Sequence, residues 1–170
     1  MNSGITSRTY FFTLTLIYYA QIFALIVFSA VTLILDSPSA DATENNLIQV
    51  FQFAVPIGTV VLLSSGYFIF KTVVSKIERS SHLKSKLPKY QSAVIVRAAM
   101  IEVAGLLGTI AAFLTGEMYF LAATALIVIV LILLRPSVHG VVEDLSLTPE
   151  EKSKLENPNE IVAEQTMRKF

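Results

Sequence analysis

Glu102 is the side chain in this sequence with the most chemical potential. It is the only acid in the apolar stretch Ala93–Leu114, and Arg97 is the only other charge there. About ten residues separate Glu102 from the start of that stretch, which at roughly 1.5 Å per helical residue places it about 15 Å deep, near the centre of a bilayer about 30 Å thick. A carboxylate at that depth costs at least about 2.5–3.5 kcal/mol on insertion scales, so it has to face protein or water. Two roles fit it. It can carry a proton or cation, or, as a neutral acid, it can bond one helix to another. Arg97, at i−5, lies on a different face and can snorkel towards the cytoplasm.

Equal depth selects the neighbours. Gln21 lies about eleven residues into the first apolar stretch, or about 16 Å, and Pro56 about nine residues into the second from the opposite side, or about 14 Å. Pro56 has no N–H to give to the carbonyl of Gln52, so it leaves an acceptor free. The candidate site is therefore Glu102 with Gln21, and Arg97, Gln52 and Pro56 form the shell expected around them. Small residues flank the acid on its own helix. Ala98, Gly105 and Thr109 share its face, and Ala104, Gly108 and Ala112 form a second stripe with the four-residue spacing of close helix contacts.

Other chemistry finds little support. The two histidines, His82 and His139, lie outside the apolar stretches, and there is no cysteine. With no glycine-rich phosphate loop and no His-x-x-x-His pair, neither catalytic residues nor a metal or cofactor are expected. The balance of 13 basic and 13 acidic residues argues against nucleic acid as a partner.

Placing Glu102 requires membrane helices. The 170 residues are 54% hydrophobic and only 15% charged, where about 25% charge is usual for a soluble domain. Four stretches are apolar enough to span: about 10–35, 47–70, 93–114 and 118–134. The segment after the second carries Lys71, Lys76, Arg79, Lys84, Lys86 and Lys89 against one acid, Glu78, whereas Asp36–Asn46 has acids and no base. The positive-inside rule then puts both termini in the cytoplasm. The first apolar run, at about 26 residues, exceeds the roughly 7–15 of a signal sequence and is expected to be retained. The expected fold is thus an all-α membrane protein of four transmembrane helices, arranged as two antiparallel hairpins in a bundle, N-in/C-in.

Residues 136–170 form a cytoplasmic tail. Val138, Val141, Val142 and Leu145 have helical spacing, and Thr148-Pro-Glu-Glu151 has the signature of a capping box, so a short helix should begin at about 148. From Asn159 onward the tail is expected to be mobile. Pro88 is expected to mark the break before the third helix.

The stretch Arg97-Ala-Ala-Met-Ile-Glu-Val-Ala-Gly-Leu-Leu-Gly108 resembles the carboxylate-bearing helix of the proteolipid c subunit of rotary ATPases, where an Ile-Glu pair followed by small residues and leucines is typical. The resemblance covers about 20 residues and implies that Glu102 carries an ion. The preceding stretch departs from that family, having only Gly58 and Gly66 and carrying Pro56. The overall layout is similar to that of small four-helix proteins of bacterial inner membranes. The functional expectation is a non-enzymatic inner-membrane protein that acts as an accessory or structural subunit, with the bilayer and membrane proteins or further copies of itself as partners. The alternative is proton or cation translocation through Glu102.

Overall fold

In hydrocarbon the backbone can bond only to itself, so long uncharged runs become helices. The computed structural model describes residues 4–35, 44–78 and 81–164. The acidic Asp36 and Asp41, the basic Arg79 and residues 165–170 lie outside the described part. A short strand β1 (Gly4–Thr6) leads into α1 (Ser7–Ile34), followed by α2 (Glu44–Ser75) and α3 (Leu83–Thr115). A 3-10 turn at Met118–Phe120 then enters α4 (Leu121–Leu133). Two short helices, α5 (Val138–Asp144) and α6 (Pro149–Glu156), and a strand β2 (Ile161–Glu164) complete the order. Among the described residues, three helices are long and apolar enough to cross a membrane, or up to four if the segment Met118–Leu133 and α5 count as one broken span.

Of the three long helices α3 is the most buried, at 44% of its most apolar window against 22% for α1 and 6% for α2. Large apolar side chains such as Phe12, Phe23, Phe53, Ile57 and Phe68 are exposed. Water would penalise such a surface, whereas acyl chains accept it. The chain is a mostly helical protein built to lie in a membrane.

By contacts the chain divides into two compact units. One comprises the described residues of Met1–Tyr18, Ile69–Ile95 and Pro136–Phe170, and the other comprises Tyr19–Phe68 and Val96–Arg135. In the first unit, β1 and β2 pair antiparallel, with Ile5 opposite Ala163 and a one-residue slip before Thr6. This strand departs from the expected mobile tail. Ile161-Val-Ala163 is apolar enough to form a strand, but its partner lies at the opposite end of the sequence, so local pattern could not reveal the pairing. The same tail caps α1. The Ser7 and Arg8 amides donate to the carbonyls of Glu160 and Pro158, satisfying two of the helix's unpaired N–H groups.

The first unit also seats α6. Thr148 and Glu151 form the reciprocal capping box, and the buried Leu155 carbonyl accepts from the Ser7 hydroxyl. Lys86, 1% exposed, reaches Glu151 at 2.7 Å. Burial alone would raise the Glu151 carboxyl, but hydrogen bonds from Lys86 and Thr148 and the Lys86 charge outweigh it and hold the group below its ordinary range. Pro88 does not break the chain before α3; it lies inside that helix. A proline there forfeits one backbone bond, and the burial of Leu83, Lys86, Leu87 and Tyr90 around it holds the helical path.

Candidate functional site

The inner face of α3 in the second unit positions the candidate residues. Ala98, Ile101, Ala104, Gly105, Gly108, Thr109 and Ala112 are all buried, so both small stripes face protein. A Cβ on Gly105 would meet Leu25 of α1 and Ile127 of α4 at 2.6 and 3.0 Å. On Gly108 it would meet the Thr124 hydroxyl at 2.8 Å and the Phe120 carbonyl at 3.0 Å. Helix α2 approaches at its own glycines, Gly66 against Met100 and Gly58 against Leu107. The four-residue spacing of small side chains is consumed by contacts within the chain.

These contacts fix the register. Leu25 sits at Gly105, and Ser29 bonds Thr109 across a sequence separation of 80. Near that offset Gln21 lies beside Glu102, and its amide hydrogen-bonds the carboxyl. Both side chains are half-buried. The Gln21 carbonyl oxygen Oε1 is buried without a hydrogen-bond partner among the described residues. As a neutral acid Glu102 has one O–H to give, and this oxygen is an acceptor next to it.

The expected surrounding shell is not assembled there. On α2, the pairings of Gly66 with Met100 and Gly58 with Leu107 put Pro56 about seven residues from the level of Glu102 towards the start of α2, or roughly 10 Å. Gln52 and Pro56 instead line an open cavity of about 380 Å³ with Thr59, Tyr119 and Phe120, and the Gln52 amide reaches the Tyr119 hydroxyl at 3.4 Å. Equal depth along separate apolar runs does not fix the register of one helix against another, which the close approaches at Gly58 and Gly66 set here. Arg97 is also occupied elsewhere. Its Nη2 donates to the carbonyl of Leu134, the C-cap of α4, at 3.3 Å, where a cation complements the helix dipole.

Sequence reasoning missed a hydroxyl cluster about two turns further along α3 from Glu102. Ser29 and Thr109 lie 3.0 Å apart, and Thr109 and Thr124 3.1 Å apart. The hydroxyls of Thr109 and Thr124 both reach the Gly105 carbonyl, at 3.2 and 2.9 Å. This joins the half-buried Ser29 of α1 to the buried Thr109 of α3 and Thr124 of α4. The available signal was the presence of hydroxyl residues in three separate spans. Because Ser and Thr also bond to their own helix, that signal could not choose partners. Thr124→Val should lower the thermal midpoint in detergent by the loss of about 1 kcal/mol, since interhelical membrane hydrogen bonds average roughly 0.6 kcal/mol. A double-mutant cycle with Thr109→Val should show coupling between the two.

The site combines one carboxyl, one amide and a separate hydroxyl cluster. Such a set can hold helices together or hold a proton. Among the described residues, no three His, Asp or Glu side chains gather as a metal ion would require. Compared with known proteins, the chain matches no family model, and no curated protein or solved structure matches it significantly.

Proposed function

We propose that the chain is an integral protein of the bacterial inner membrane. It crosses four times as two antiparallel hairpins, keeps both termini in the cytoplasm, and serves without catalysis as an accessory or structural subunit of a larger assembly. The basic stretch from Lys71 to Lys89 supports this threading, as does the apolar surface of the helices. The observation that carries the structural role is the answering of polar groups across helices. Glu102 meets Gln21, Arg97 meets Leu134, and Ser29, Thr109 and Thr124 bond one another. Side chains spent on fastening helices are what a rigid membrane subunit needs.

A second role, carriage of a proton or cation by Glu102, draws support from the Gln21 oxygen that lacks a partner beside the carboxyl. Reconstituted vesicles separate the two. With an imposed pH gradient and an internal pH-sensitive dye, the wild-type chain and Glu102→Gln should dissipate the gradient at the same slow rate. A faster wild-type rate that Glu102→Gln abolishes would overturn the structural role. In gently solubilised native membranes the chain should migrate well above the size of its 18.7 kDa monomer in detergent.

A further inference from the structure

The first unit contains a groove of about 750 Å³ walled by α1, α5 and α6. Phe11, Val138, Val142 and Leu155 give it an apolar lining. Arg8, His139 and Lys152 stand at its edge, with Glu156 as the lining acid. Arg8 is exposed and makes no ion pair among the described residues. Lys152 is 3.8 Å from Glu156, but both side chains are about half exposed, so that pair is weak. His139 lies 3.9 Å from the exposed Glu143. Arg8 and Lys152 thus place two cations at the edge of an apolar bed, with the Glu156 carboxylate beside Lys152.

Its place along the sequence decides what it faces. Arg8 stands just ahead of the uncharged run that opens at Tyr10, and Val138 follows Leu134-Arg-Pro-Ser137 at the end of the last apolar run. The α1 and α5 walls therefore lie where apolar segments emerge at the level of lipid head groups, and α6 closes the groove beside them. We infer that this groove binds an anionic phospholipid of the surrounding bilayer, with its phosphate on Arg8 and Lys152 and the upper part of an acyl chain along Phe11, Val138 and Val142. A free phosphate would leave the apolar bed unused.

The full chain, delipidated in neutral detergent, can be titrated with phosphatidylglycerol or with phosphatidylcholine of identical acyl chains. Native mass spectrometry then counts the bound lipids. Phosphatidylglycerol should be retained preferentially, and Arg8→Gln and Lys152→Gln should each cut that preference about fivefold, the effect of one basic residue near a membrane surface. Arg8→Lys should keep it. Equal retention of the two lipids by the wild type would overturn the inference. So would a preference that survives in the Arg8→Gln/Lys152→Gln double variant, which would place the lipid elsewhere, such as on the basic segment 71–89. Displacement by soluble glycerol phosphate would mark a site for free phosphate esters and would also overturn it, as would displacement by an acidic peptide.

Discussion

Alanine at Gly108 should destabilise the bundle by about 1–3 kcal/mol, because the added methyl group is driven into a neighbour that cannot yield. Its Cβ would lie 3.0 Å from the Phe120 carbonyl oxygen and 3.3 Å from the Thr124 amide nitrogen, both backbone atoms of the segment entering α4. The two helices would have to separate, straining the Thr109–Thr124 contact at 3.1 Å. A helix interior gains roughly 1 kcal/mol in propensity from Gly→Ala, so the expected loss is what remains after that gain. Gly58 is the internal comparison. Alanine there would meet only the Leu107 Cδ2 at 2.6 Å, the end of a flexible side chain. Gly58→Ala should therefore be close to neutral. Thermal midpoints in one detergent check both, and equal midpoints for the two variants would refute the difference.

The other large effect is expected at the tail. Glu151→Ala leaves the Lys86 ammonium, with a side chain only 2% exposed, without its carboxylate. Stranding a buried charge costs about 3–5 kcal/mol, and the loss of the capping interaction adds about 1 kcal/mol. The energy should appear as loosening of α6 and β2, read by faster hydrogen exchange and earlier proteolysis of the segment after Pro136. Pairing Lys86→Met with Glu151→Leu removes both charges and should restore most of the protection. The same pair sets a pH dependence. Because the folded Glu151 is held below its ordinary range, its contribution is present at neutral pH. That contribution is lost as pH falls through the folded value, below the usual carboxylate range of about 4.3. Protection of α6 should thus fall on acidification, whereas Glu151→Ala should show a flatter profile between neutral and acid pH.

How much of this was legible in the sequence varies from element to element. Long uncharged runs separated by charged segments have one physical outcome in a membrane, so α1, α2 and α3 could be read directly. The small stripes on α3 were legible because only small side chains permit close approach, and the capping residues Thr148 and Glu151 act within one helical turn. Pro88 was misread because a local rule was applied where tertiary burial prevailed. Pro56 was misplaced because equal depths in separate runs do not fix the register of one helix against another.

Sequence alone determined the membrane character, the long helices and the isolation of Glu102, since each follows from hydropathy and covalent spacing. Only the tertiary structure decided that Gln21 faces Glu102, that Ser29, Thr109 and Thr124 meet, that Arg97 caps α4, and that Lys86 holds the tail. The reason is geometric. A residue's type and depth state what it can bond, but the partner depends on helix rotation and register, which are settled by which side chains of the neighbouring helices come to rest on the glycines.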